Sequence, residues 1–568
     1  MLARLTLLFS IIVIAFPARA QWQPNGVPLN GGGTPQLATD GSGGALVTWG
    51  YWDPWTGQWN YAMAQGVSAA GNTRWQPGGK ILCQPSDNFG PQVVSDGNGG
   101  AIFVFLDNRS GYVDIYAQRI DWSGAELWPS CGVPVRVLPI DIAPYQNIAA
   151  VPDNSGGVII VWSDPRGGAP DIYAQHLNSA GAPLWTVNGG ALCVAPETQS
   201  NPIAVEDGLG GAWVAWTDFR NGIDDIFARH INAAGVPEGA ATGLAICTAT
   251  GVQNELRIAS DEAGGTIIAW QDARGGSNHD IYAQRLSLAG SMLWTANGTP
   301  ACNEASHQEY PDVASDGAGG AIFVWKDWRS YPNLVSLFAQ RLNAAGQPQW
   351  TPDGNFMGDS DKAYALRPVI MSDGEGESII AWDAAHFNAQ IGDREEQLLV
   401  QRLDANGTPD WQLPGVELRG RSPYPGDGGV GVSSLVSDGW GGVIVGWTDN
   451  WYWQASDVRV GHVSPGGVAT DVTPTRGPSL MAVDVYPNPF SGSAKLAVEL
   501  GKPSRVDVDV FDVAGRKVRS FAQAEGSLTH VIDIDDRDDA GNILASGVYF
   551  CRVRAATGTV TRKIVITR

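Results

Sequence analysis

Pro91-Gln-Val-Val-Ser-Asp96-Gly-Asn-Gly-Gly100-Ala-Ile-Phe-Val-Phe105 reads as two short extended runs joined by a glycine turn. The glycines stand where a hairpin needs positive φ, and the second run is apolar throughout, as in a strand buried on both faces. Beyond it, the polar loop Asp107-Asn-Arg-Ser-Gly111 leads into Asp114-Ile-Tyr-Ala-Gln-Arg119, which alternates like a half-buried strand. Gly124 and Trp128 mark another turn, and Val133-Pro-Val-Arg-Val137 supplies a fourth run. The same unit is written eight times. Its turn aspartate is Asp40, Asp96, Asp153, Asp207, Asp261, Asp316, Asp373 and Asp438, a period of about 55 residues that marks supersecondary units which must stack on neighbours to bury their apolar faces.

Four antiparallel strands per repeat is the pattern of a β-propeller blade. A large aromatic stands nine residues after each turn aspartate: Trp49, Phe105, Trp162, Trp216, Trp270, Trp325, Trp382 and Trp447. A second series, Trp75, Trp128, Trp185, Trp294, Trp350 and Trp411, follows the later turn glycine. Both read as packing layers between twisted sheets. Trp22-Gln-Pro-Asn-Gly-Val-Pro-Leu29 matches the fourth-strand segment Trp75-Gln-Pro-Gly-Gly-Lys-Ile-Leu82, yet precedes the first turn, while the eighth copy lacks its own fourth strand. The expected fold class is all-β: an eight-bladed propeller over residues 21–467 closed by its N-terminal strand, then a small Ig-like β-sandwich. Closure of this kind removes open sheet edges.

The ends and composition bound the setting. Arg4, the apolar run 5–16 and Ala18-Arg19-Ala20 read as an export signal over residues 1–20. No later segment offers the run of about 18 apolar residues that a membrane helix needs. A net charge of -22 opposes nucleic-acid binding, which requires a positive field. Cys83, Cys193, Cys247 and Cys302 occupy equivalent repeat positions on separate units, so they are expected as buried thiols, with Cys131 out of register and Cys551 in a different domain.

Residues 468–480 read as a linker, and 481–568 as a separate domain of short alternating strands. Its motifs are Tyr486-Pro-Asn-Pro-Phe490, Asp512-Val-Ala-Gly-Arg-Lys-Val518, Ala545-Ser-Gly-Val-Tyr-Phe550 and Lys563-Ile-Val-Ile566. This segment resembles the type A C-terminal sorting domain of the type IX secretion system. The resemblance implies an Ig-like sandwich, handling by the type IX secretion machinery, and delivery to the exterior or outer surface of a Gram-negative bacterium.

Functional candidates lie in the loops. A repeated Asp-x-Arg joins strands two and three: Asp107 with Arg109, Asp164 with Arg166, Asp218 with Arg220, Asp272 with Arg274, and Asp327 with Arg329. These pairs read as loop braces, the other reading being arginines that hold an anion or sugar acid. A following aspartate (Asp114, Asp171, Asp225 or Asp280) is expected to accept from the same arginine fork. Repeats one, seven and eight break the pattern with Tyr51, Trp52, Trp55 and Trp59, with His386 and Tyr424, and with Trp451, Tyr452 and Trp453. Indoles in polar loops stack on sugar faces, so these residues are the candidate glycan platform, though they can equally fold the loops onto the ring. A glycan or a surface protein is the partner expected there. A glycosidase would need two carboxyl groups about 5 to 10 Å apart, and sequence places no such pair, so catalytic residues stay unassigned. No zinc-type His/Cys cluster or phosphate loop is present, and neither a metal nor another cofactor is expected.

Overall fold

The computed structural model describes residues 22, 26–29, 31–53, 58–84, 88–142, 148–330, 335–357, 363–365, 367–372, 376–388, 393–419, 430–449, 457–469, 481–486, 492–500, 505–512, 516–523, 529–555 and 558–567. The protein is all-β, with a single 3-10 turn, Pro165–Gly167, as its helical segment among these residues. The repeat region forms eight antiparallel sheets among the described residues: sheet 1 (36–81), sheet 2 (88–136), sheet 3 (149–193), sheet 4 (199–247), sheet 5 (253–302), sheet 6 (308–356), sheet 7 (363–419) and sheet 8 (430–463). In sheet 2 the strands Asn88–Ser95, Ala101–Asp107, Asp114–Ile120 and Val133–Arg136 pair in chain order. Sheet 8 takes its outermost strand from the other end of the chain, Val27 lying opposite Val460 and Pro28 opposite Arg459.

Each sheet packs on the next, and sheet 8 packs on sheet 1. At that last junction Ser433 Oγ donates to Pro35 O at 2.6 Å and Thr448 Oγ1 to Gly33 O at 3.0 Å. The first aromatic series is sealed in the core, Phe105 and every tryptophan of it being 0–1% exposed. The second series lies over the next sheet's turn glycine. A Cβ on Gly235 would fall 2.1 Å from Trp185 Cδ1, and this glycine also has φ +76°, so both space and backbone require glycine there. Trp22 makes the same contact with Gly71 of sheet 1 and donates Nε1–H to Ala69 O at 3.0 Å.

The turn aspartates close their own loops. Asp40 Oδ1 accepts from Ser42 N at 2.7 Å and Gly44 N at 2.8 Å, and Asp96, Asp153, Asp207, Asp261, Asp316 and Asp438 repeat the pattern. Asp373 lies outside the described residues. The second oxygen faces a basic residue of strand three, such as Arg119, His176, His230, Arg285, Arg341 or His462. Three of the chain's histidines are therefore structural.

One cysteine expectation is overturned. Cys83 and Cys131 form a disulfide across sheets 1 and 2, with Cα atoms 4.6 Å apart. The cysteine at the end of the fourth run can reach the next sheet's turn: Cys193 Sγ lies 3.4 Å from Thr242 O. Only the second copy places a cysteine, Cys131, at that turn. Cys193, Cys247, Cys302 and Cys551 are free and buried, and burial pushes their thiols up to about 11 or 12.

The repeat's turn continues to Ala469, which bridges to Val463. The C-terminal domain has two sheets, one ordered Met481–Tyr486, Ser493–Leu500, Thr529–Asp535 and the other Lys517–Gln523, Val506–Asp512, Gly547–Ala555, Gly558–Ile566. Leu496, Val508, Ile532, Cys551 and Ile564 fill the space between them.

Candidate functional site

The Asp-x-Arg loops are built alike. Asp107 Oδ1 accepts from both Arg109 N and Nε at 2.8 Å, and its Oδ2 from Nη2 at 2.7 Å. Arg220, Arg274 and Arg329 close on Asp218, Asp272 and Asp327 in the same way, and Arg166 closes on Asp164 through its backbone N and Nη2 alone. Each guanidinium carbon lies 3.7–4.0 Å over the ring of Tyr116, Tyr173, Phe227, Tyr282 or Phe338. Each Nη2 also donates to a turn carbonyl, that of Cys131, Asn188, Thr242, Asn297 or Asp353. The core indole adds a bond from below, as from Trp270 Nε1 to Asp272 Oδ2 at 2.7 Å.

The following aspartates do not accept from these forks. Asp114 takes Arg136 Nη1 at 3.0 Å, Asp171 takes Ala195 N at 3.1 Å, and Asp225 takes Asn221 Nδ2 at 2.6 Å. The fork is already committed to its own aspartate, ring and carbonyl, which is the physical reason. Asp280 lies directly across the strands from Asp272. Burial, reinforced by that neighbouring charge, raises its carboxyl to about 6.

Two arginines carry a role that motif reading misses. Arg136 and Arg419 occupy the strand-four position held by Cys193, Cys247 and Cys302 in sheets 3 to 5. Arg136 is fully buried and bridges Asp114 of its own sheet to Asp164 of the next, Nε to Oδ2 being 3.1 Å. Burial acts to raise Asp164, but hydrogen bonds from Arg166, Arg136 and Trp162 outweigh it and hold the carboxyl at about 2. Arg419 joins Asp449 similarly at 3.0 Å. The only sequence signal is an arginine at the end of an apolar run.

The platform candidates are only partly placed. Tyr51 is half-buried beside Tyr61, ring centroids 6.3 Å apart. Trp52 and Trp59 face each other across the hairpin of sheet 1, and His386 lies opposite Glu395 in sheet 7; the side chains of Trp52, Trp59 and His386 are outside the described set. Trp55, Tyr424, Trp451, Tyr452 and Trp453 lie wholly outside the described residues. The hairpins that carry these residues are long. Sheets 2 to 6 and 8 use seven-residue second and third strands, whereas sheet 1 uses Ala45–Asp53 and Gln58–Val67, and sheet 7 uses Ser378–Asn388 and Asp393–Leu403.

Where sheets 5 and 6 meet, polar and aromatic side chains gather that sequence reading did not join. His279, His307 and Glu309 bring ligand-type atoms within 4.8 Å of one another. Lys326 Nζ lies 4.6 Å over the Trp328 ring and 5.5 Å over Tyr310, and the Arg367 guanidinium sits 4.5 Å from the same Tyr310 ring. His279 is separated from His307 and Glu309 by an entire strand pair, so no local spacing joins all three.

The chain is thus a β-propeller body followed by a two-sheet tail. Residues 484–567 match the family described as secretion system C-terminal sorting domain. A tail of this family directs a protein to the cell surface or exterior, and no helix among the described residues is long and apolar enough to cross a membrane. No curated protein matches the chain. Similar solved structures include a Dyadobacter fermentans protein of unknown function (9% identity, 56% of this chain and 93% of that one, TM-score 0.33). They also include the Penicillium chrysogenum α-L-arabinanase complexed with arabinobiose (12%, 56% and 94%, 0.29) and the polysaccharide lyase Uly1 (8%, 70% and 93%, 0.39). With TM-scores below 0.5, these likenesses assign neither an activity nor a ligand to this chain.

Proposed function

We propose that this protein is a secreted or cell-surface binding module whose partner is a glycan, engaged on the loop face where sheets 7, 8 and 1 meet. The reading takes the eight sheets as one closed eight-bladed ring. The observation that carries it is the length of the flanking hairpins: strands of nine to eleven residues in sheets 1 and 7, against seven in sheet 8 between them. At about 3.3 Å per residue, the sheet 7 hairpin rises about 13 Å above its neighbours and the sheet 1 hairpin somewhat less. Two pairs of longer strands bearing Tyr51, Trp52, Trp59 and His386 then flank the shorter strands of sheet 8, an arrangement suited to an elongated sugar chain. Arginines of the Asp-x-Arg loops serve this face as braces, because each Nη2 is already shared between its aspartate and a turn carbonyl.

A second reading, a polysaccharide-acting glycosidase or lyase, is favoured by one group. Asp383 in the sheet 7 hairpin is pushed well above the usual carboxylate range by burial, against a hydrogen bond from Val432 N and with Glu396 adding to the rise. A carboxyl with a raised pKa suits acid catalysis, but Asp383 is only 3% exposed. One experiment tests both readings: the purified protein and its Trp55→Ala and Trp453→Ala variants are incubated with a panel of polysaccharides, scoring retention and product release. Retention lost in the variants with folding intact supports the platform, and retention unchanged in both rejects it. Soluble oligosaccharide products would move the protein to the enzyme class.

A further inference from the structure

We propose that His279, His307 and Glu309 form a binding site for a borderline divalent transition-metal ion, with zinc as the natural probe. Two imidazoles and a carboxylate are the donor set such ions select over magnesium or calcium, which prefer oxygen alone. The scaffold beneath the three residues is the repeat's own. At successive sheet junctions Gln199 N donates to Pro170 O, Gln253 N to Asp224 O and Gln308 N to His279 O, all at 2.8–2.9 Å. Likewise Phe219 N donates to Thr198 O, Ala273 N to Val252 O and Trp328 N to His307 O, each at 2.9 Å. The positions of His279, His307 and Glu309 are therefore Pro170, Thr198 and Ser200 at one junction and Asp224, Val252 and Asn254 at the next. One rigid frame recurs, and among these three junctions it carries a full ligand set here alone.

The surrounding bonds orient the donors. Tyr310 N donates to Gln271 Oε1 at 3.3 Å, which fixes the amide so that its Nε2 faces His279 Nδ1 at 3.1 Å. With Gln271 Nε2 as the donor, Nδ1 is the unprotonated ring nitrogen, 3.9 Å from Glu309 Oε1, and a metal ion bound there takes that lone pair over from the amide. Trp328 Nε1 holds Glu309 Oε2 at 3.0 Å with Lys326 Nζ 3.6 Å away, leaving Oε1 turned toward the imidazole. His307 Nδ1 is buried and has no hydrogen-bond partner among the described residues, a cost that a bound cation or its second-shell order would relieve. The two rings stand 5.4 Å apart at 62°. Donors around a tetrahedral zinc ion lie about 3.4 Å apart, so a shift of about 1 Å by the half-exposed His279 and Glu309 side chains completes the set.

The test is a zinc titration of the metal-stripped mature protein, tail included, in competition with a chromogenic indicator. One equivalent is expected to bind with micromolar or tighter affinity, and cobalt substitution should give visible d–d absorption. His279→Gln, His307→Gln and Glu309→Gln should each weaken binding at least tenfold while leaving the metal-free melting temperature within a few degrees. Lys326→Met keeps all three donors and removes the competing ammonium, so it should tighten binding several-fold. Absence of stoichiometric binding, its survival in a His279→Gln/His307→Gln double variant, or an unchanged affinity in Lys326→Met overturns the proposal.

Discussion

Arg136 shows how much a single buried side chain can organise. It sits where other copies have a cysteine and neutralises one aspartate in each of two sheets. Arg136→Met should lower stability by about 3 kcal/mol, because it leaves the buried Asp114 carboxylate without its cation while Asp164 keeps Arg166; thermal or urea unfolding measures this. Asp164 adds a pH signature. Its pKa in the folded state is about 2, below the ordinary 3.8, so its contribution is complete above pH 4 and is lost as pH falls from 4 toward 2. Asp280 has the opposite sign. Its folded-state pKa of about 6 exceeds the ordinary value, so ionisation at neutral pH opposes folding. Asp280→Asn should raise the melting temperature at pH 7.5, and the gain should disappear by about pH 4.

At the scale of elements, the disulfide fastens the end of sheet 1 to a turn of sheet 2 and closes a 48-residue separation. By loop-closure entropy such a link contributes about 4 kcal/mol, so Cys83→Ala/Cys131→Ala should unfold at clearly lower denaturant than the oxidised parent, with reduction of the parent giving the same shift. The strand pattern was legible in sequence because Asp-Gly turns and apolar runs are local signals. The Cys83 to Cys131 bond was not, since it depends on how far one sheet's edge lies from its neighbour's turn. The same limit hid His279, His307 and Glu309, which share a junction and no motif. Expecting Asp114, Asp171 and Asp225 to share the arginine fork failed for a related reason: residue type shows that an arginine can donate, and only coordinates show that Tyr116, Tyr173 or Phe227 and a turn carbonyl have already taken its reach.

Across the whole molecule, Trp22 and Val27 to Leu29 are the residues on which sheet 8 depends for its outer strand. Trp22→Ala removes a large side chain that is 5% exposed, packed on Gly71 and stacked on His462 at 5.6 Å, and should cost about 3 kcal/mol or more. A chain starting at residue 31 should show, by light scattering, association through the bared edge of the strand Asp457–Val463, as unpaired strands favour.

Thr448 bonds to Gly33 across 415 residues of chain. The earliest-made part of the body must therefore wait for nearly the last before either finds its place, and no partial product can be whole. Since contacts so remote in sequence form slowly, the body can stay loosely assembled until its final repeat arrives. A sorting tail placed after that repeat means that the export address is spelled out only once the residues that meet the first strand and Gly33 have been synthesised.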